Sequence, residues 1–174
     1  MSIEAKLAND RVVVEDSDDA RRLYNEGYGV LEGDKLVLEP VEALYLAYTG
    51  RLKVKHGDEV LECNKLLEIF KERDPHVWVV FSVYYDLRRR GRVVKPGPAR
   101  NSLLMFKGKN KPSKYIVYVV EETVMMKLSD LVEWIDMGSR MDKDVLLAVV
   151  DKHGDITYYE ISSIQLTKLP KFQP

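Results

Sequence analysis

A single cysteine, Cys63, leaves this 174-residue chain no partner for an internal disulfide and too few thiolates for a zinc centre. Histidine is almost as scarce. His56, His76 and His153 stand far apart in the sequence, which argues against a metal enzyme, and no cofactor is expected. Charge of one sign is missing too: 27 Lys+Arg face 28 Asp+Glu, a net of −1. A generally basic coat is therefore excluded, and contact with nucleic acid would need a local patch or a partner. No apolar run approaches the ~20 residues of a membrane-spanning helix. The opening MSIEAKLAND contains acidic residues and no apolar core segment, so it does not read as a secretory signal. The expected location is cytoplasmic, away from membranes.

What is present is a globular balance, 45% apolar and 32% charged residues. The length suits one domain or two small ones sharing a seam. Residues 5–14 read as a hairpin turning at Asn9-Asp10. Ser17 reads as an N-cap with Asp18 and Asp19 in the first turn, and Ala20, Leu23 and Tyr24 form a helical stripe ended by Gly27. Val30-Leu31 and Leu36–Leu38 suggest a second hairpin. Pro40 opens a helix striped by Val41, Leu44, Tyr45 and Tyr48 and closed by Gly50. After the punctuation of residues 57–60, Cys63, Leu66, Leu67 and Phe70 mark another helix. Asp74-Pro75 reads as the cap and first turn of the next, which ends in Arg88-Arg89-Arg90-Gly91.

The second half changes character. Short strands are expected at 92–95 and 103–106, and buried ones at 115–120 (YIVYVV) and 145–150 (VLLAVV). A helix capped by Ser129 lies between the buried pair. Asp151–Asp155 forms a turn, and residues 156–161 return as a partner strand. The order implies an α+β protein: a small N-terminal domain over residues 1–73, then a mixed-sheet domain with flanking helices over 74–174.

Four stretches together resemble the archaeal tRNA-splicing endonuclease family: GYGVLEGDKLVLEPVEALYLAYTGRLKV (27–54), YYDLRRRGRVVKPG (84–97), PSKYIVYVVEE (112–122) and KDVLLAVVDKHGDITYYEI (143–161). The resemblance covers residues 20–162 in order. It implies a mixed-sheet nuclease-like C-terminal domain and metal-independent RNA cleavage. There the neighbouring 2′-hydroxyl attacks phosphorus, leaving a 2′,3′-cyclic phosphate and a 5′-hydroxyl. A Tyr, a His and a Lys of the family move the protons and stabilise the extra charge. The position of the Tyr falls here on Phe106 and that of the His on Pro112, whereas the Lys is kept as Lys143. Neither a phenyl ring nor a pyrrolidine ring can move a proton.

The resemblance thus implies a structural subunit, paired with a catalytic paralogue in an (αβ)2 heterotetramer that acts on precursor tRNA. It also implies docking through the acidic turn, with Asp151 and Asp155 as its charges. The terminal strand would add an apolar edge, Ile156, Tyr158 and Ile161 opposite Tyr159. The tail 162–174 could instead cover that edge. RNA-facing candidates are Arg88, Arg89 and Arg90, which could equally be a solvated helix end, and Lys107, Lys109 and Lys111 in the loop beside the lost His. Most of the ten tyrosines read as core by their spacing. Two other readings stay open. One is an active endonuclease subunit with displaced residues such as Tyr115 or Tyr118. The other is a winged-helix-like nucleic-acid-binding module with LRRRGRVVKPG as helix and wing.

Overall fold

The computed structural model describes residues 2–108 and 111–162. Lys109 and nearly all of the C-terminal tail lie outside them. The fold is α+β, with two mixed sheets and five helices among the described residues.

The first sheet grows from β1 (Ile3–Ala8) and β2 (Arg11–Val14), joined at Asn9, whose φ of 59° an asparagine tolerates. A cap sets the start of α1 (Ser17–Asn25), but the cap is Asp16 and not Ser17. The Asp16 carboxylate accepts the backbone N–H groups of Asp18 and Asp19 at 3.1 and 2.9 Å, so Ser17 becomes the first helical residue. β3 (Val30–Glu32) and β4 (Lys35–Leu38) form the expected hairpin, and α2 (Pro40–Tyr48) follows. The stretch read only as punctuation holds the turn and the first residues of the second strand of a further hairpin, β5 (Leu52–His56) and β6 (Glu59–Leu61). β5 pairs in parallel with β1, giving the order β3-β4-β2-β1-β5-β6. One face buries Ile3, Ala5, Val12, Val14, Leu36, Leu38, Leu52 and Val54; the alternate residues face outward.

α3 (Cys63–Arg73) carries Leu66 and Phe70 into this core. Asp74 and Pro75 form a turn, and α4 (Val77–Arg89) begins two residues later than the Asp-Pro signal suggests. The Asp74 carboxylate accepts the His76 N–H at 3.0 Å, and its carbonyl accepts the Val77 N–H at 3.0 Å. The second sheet has the order β11-β10-β9-β8-β7, formed by β7 (Val93–Pro96), β8 (Ser102–Phe106), β9 (Ser113–Glu121), β10 (Asp144–Val150) and β11 (Ile156–Ile161). Only β9 and β10 run parallel, and α5 (Leu128–Arg140) makes their crossover. α5 starts before Ser129. The Asp130 carboxylate caps it by accepting the Lys127 N–H at 3.2 Å.

α4 joins the two halves. Its buried Val77, Val80, Val83, Tyr84 and Leu87 belong to one continuous core with the first sheet and with Leu103, Val117, Val119 and Ala148 of the second. α5 covers the opposite face of the second sheet through a smaller cluster, where Trp134 stacks on Tyr118 at 4.4 Å. This packing removes the winged-helix reading. The supposed recognition helix is the end of α4, which packs on α2, α3 and the second sheet, and the supposed wing is β7, the end strand of that sheet, paired along its length with β8.

One acidic group lies at the seam. Glu42 is 1% exposed, and its two carboxylate oxygens accept the Gly29 N–H at 2.9 Å and the Glu39 N–H at 3.0 Å. Burial pushes its pKa above the usual glutamate range, against the pull of those bonds and of Lys95 and Arg88. Below the ordinary value both folded and unfolded chains hold the proton, so stability does not vary with pH through this group and its contribution is fully present. As pH rises past that value, the unfolded chain releases the proton first and stability falls until the folded group has ionised. The unfolding free energy of Glu42→Gln, followed by urea titration at several pH values, is expected to lose this fall. A slope identical to that of the unaltered protein would refute the assignment.

Candidate functional site

The three positions singled out by the sequence meet at one end of the second sheet. Phe106 ends β8 and lies opposite Ser113, where the register slips between Met105 and Phe106. Pro112 immediately precedes β9, and Lys143 immediately precedes the parallel β10. The Lys143 ammonium donates to the Ser113 carbonyl at 2.9 Å. A hollow of about 450 Å³ opens here, lined by Lys107, Lys111, Pro112, Asp142 and Lys143 among others. Lys107 and Lys111 are exposed at its rim. Lys114 is tied to Asp144 at 3.1 Å, and that bond is the main cause holding its pKa above the ordinary lysine value.

Local sequence explains how Lys143 arrives there. α5 ends in a Schellman turn: the Lys143 N–H reaches the Gly138 carbonyl at 2.8 Å, and the Asp142 N–H reaches the Ser139 carbonyl at 3.2 Å. Asp142 takes the left-handed position at φ 53°, where glycine is the usual residue. Gly138 has no side chain because Val145 Cγ2 and the Lys143 carbonyl occupy the place of a β-carbon. These two residues, together with Ser113, orient the lysine. A Gly and an Asp-Lys pair just past a helical stripe were the sequence signal for them. Asp142→Gly is expected to raise stability by up to about 1 kcal/mol, read as a higher thermal midpoint. A lowered midpoint would show that the aspartate contributes more than its backbone shape.

This end of the sheet contains no histidine. His76 lies 3.2 Å from Glu121, at the far end of β9 roughly 25 Å away. His153 sits in the β10–β11 turn, and His56 ends β5 in the other sheet. Tyr118 is buried against Trp134 in mid-sheet, and burial raises its pKa. Tyr115 packs onto the α4 side, with the Lys114 ammonium 5.1 Å from its ring. Among the described residues, no group of three His, Cys, Asp or Glu side chains could hold a metal ion. No described helix is long and apolar enough to cross a membrane.

The docking candidates divide. Asp155 is exposed at the turn. Asp151 instead builds that turn. Its carboxylate accepts the N–H groups of His153 at 2.8 Å and Asp155 at 2.9 Å, and the bond from Asp155 does most to lower its pKa. Tyr158 points inward and donates its hydroxyl to Asp86 at 2.8 Å; burial, with that bond, pushes its pKa up. Ile156 joins the same core, while Ile161 lies on the other face with Tyr159. The grouping of Ile161 with Ile156 and Tyr158 is therefore corrected: an odd separation along a strand reverses the face. β11 is nevertheless the end strand of its sheet among the described residues.

The arginines divide as well. Arg88 is an internal clamp and not an RNA-facing residue. It donates to the carbonyls of Gly27 at 2.6 Å and Val94 at 2.8 Å and to the Tyr84 hydroxyl at 3.1 Å, and it lies 4.1 Å from the centre of the Tyr28 ring. Arg90 is paired with Asp86 at 2.9 Å. Arg89 is exposed and makes no ion pair among the described residues.

Known proteins match both halves of the chain in sequence. Residues 3–67 match the family model described as tRNA intron endonuclease, N-terminal domain, and residues 77–158 match tRNA intron endonuclease, catalytic C-terminal domain. The EndA-like protein of Methanopyrus kandleri is 33% identical over 168 residues, covering 95% of this chain and all of that one. A tRNA-splicing endonuclease of Pyrococcus horikoshii is 33% identical over 165 residues, covering 94% of this chain and 97% of its own. Another, from Methanococcoides burtonii, is 32% identical over 169 residues, which span 94% of this chain but 47% of that protein. Matched along both of its halves, and along nearly the full length of relatives a third identical to it, the chain belongs to the tRNA intron endonuclease family.

Proposed function

We propose that this chain is the non-catalytic subunit of a heteromeric tRNA-splicing endonuclease. It would complete an (αβ)2 assembly and help to seat precursor tRNA, while a paralogous chain supplies the acid and base for metal-independent cleavage. One observation carries the reading: the two positions that should handle protons, beside Lys143, hold Phe106 and Pro112. A lysine fixed on a carbonyl can meet a phosphate, but it does not replace a matched proton donor and acceptor. The competing reading, an active subunit with displaced residues, needs a histidine within hydrogen-bonding reach of the hollow. All three lie elsewhere.

Exposed apolar side chains support the partner half of the proposal. Val124, Met125, Leu128, Met137 and Tyr159 are all exposed, next to or on the α5 side of the second sheet, and β11 beside them has one edge that no described strand pairs with. The decisive experiment is co-expression with a catalytic paralogue, followed by size-exclusion chromatography and a cleavage assay on precursor tRNA. A joint peak with splice-site cutting supports the reading; no association, or equal cutting by this chain alone, ends it. Asp155→Lys, which leaves the turn bonds of Asp151 in place, is expected to reduce the mass of the assembly by light scattering with an unchanged circular dichroism spectrum. An unchanged mass would remove the acidic turn from the interface.

A further inference from the structure

A second surface, away from Lys143, has its own chemistry. Tyr48 at the end of α2 meets Tyr85 of α4 edge to face, with ring centres 5.3 Å apart, and Phe81 lies 6.2 Å from both. Tyr48 is 60% exposed, unusual for a ring in a three-membered aromatic cluster. The cluster lines a groove of about 580 Å³ that Arg89, one turn beyond Tyr85 on α4, and Arg90 also line. Asp86 borders the groove too, but Arg90 and the Tyr158 hydroxyl already engage it. Asp155, at the rim, has no ion pair among the described residues. The groove lies by the β10–β11 turn, so the length of β10, about 20 Å, separates it from the hollow at Lys143.

Exposed aromatic rings beside guanidinium groups suit a particular ligand. An unstacked base lays its face on a tyrosine whatever its identity, and the adjoining phosphate pairs with arginine. A volume of this size admits one nucleotide and not a duplex. We propose that this groove holds a single unpaired nucleotide of RNA bound by the chain, its base against Tyr48 and Tyr85 and its phosphate on Arg89 and Arg90. The inference takes RNA as the ligand from the family reading but does not depend on whether the chain is catalytic. Aromatic and arginine residues also mark protein interfaces, so the test separates the two.

The probe is a fluorescein-labelled oligouridylate, which cannot form a duplex, titrated with the full chain by anisotropy at several salt concentrations. Tyr48→Ala is expected to weaken binding about tenfold and Tyr48→Phe to leave it unchanged, because the plane and not the hydroxyl carries the stack. Arg89→Ala is expected to weaken binding severalfold and to lower the slope of log affinity against log salt by about one. Photocrosslinking of a 4-thiouridine oligomer to the unaltered protein, mapped by mass spectrometry, is expected to mark the peptides carrying Tyr48 or Tyr85. Affinities within twofold of the unaltered protein for both alanine variants, or crosslinks confined to other peptides, would overturn the proposal. So would a loss of assembly with the catalytic paralogue while oligouridylate binding is kept, which would make the groove a protein contact. Because binding is read without cleavage, a failure here is distinct from a failure of the subunit proposal.

Discussion

Incubated alone with precursor tRNA, this chain is expected to leave the substrate intact over times in which a catalytic member of the family cuts it completely. The reason is the chemistry of two side chains. A positioned general acid or base each contributes roughly 10²–10⁴-fold, and here both are absent from the end of the sheet where Lys143 remains. Their effects do not simply multiply, yet a deficit of at least about 10⁴-fold in single-turnover rate is expected. Lys143→Ala should then change nothing measurable in the isolated chain, since there is no rate left to lower. In the reconstituted assembly the same substitution is expected to alter the cleavage rate by less than about threefold, because on the subunit proposal the scissile phosphate sits on the other chain. Splice-site cutting by the isolated chain that vanishes with Lys143→Ala would overturn this reading.

The second large effect concerns stability. Arg88→Ala is expected to cost about 3 kcal/mol, because it removes charge-assisted bonds to carbonyls on both sides of the seam and leaves those acceptors without a donor. The guanidinium also lies over the Tyr28 ring, so packing is lost with the charge. With a urea slope near 2 kcal/mol per molar, the midpoint should fall by about 1.5 M. Arg88→Lys is expected to recover less than half, since one ammonium cannot reach the Gly27 carbonyl, the Val94 carbonyl and the Tyr84 hydroxyl together. Arg89→Ala, one residue on and exposed, is the control and should cost almost nothing. A loss below 1 kcal/mol for Arg88→Ala would show that the seam is held by apolar packing alone.

Adjacent arginines with opposite fates show where sequence reading works and where it stops. The second-sheet strands were legible because YIVYVV and VLLAVV are continuous apolar runs, and a strand covered on both faces needs such a run. β5 was not legible: Leu52 and Val54 alternate with lysines over too few residues to stand out, and its partner β1 lies some fifty residues earlier. Helix starts slipped by one or two residues at α1, α4 and α5; at α1 a neighbouring carboxylate, Asp16, took the cap from Ser17. Ile161 was assigned the wrong face although its parity was there to be read.

The amino-acid order alone determined most of the element types, the α+β class and the family, because these follow from local periodicity and from residues in a fixed succession. It also determined which side chains are absent from the hollow, since a missing imidazole is missing in any conformation. Only the tertiary structure decided that Phe106, Pro112 and Lys143 lie together, that Arg88 and Tyr158 turn inward, and that Tyr48 meets Tyr85 across a groove. Those facts depend on which strands become neighbours, and pairings between residues far apart in the chain leave no trace in either partner's local pattern.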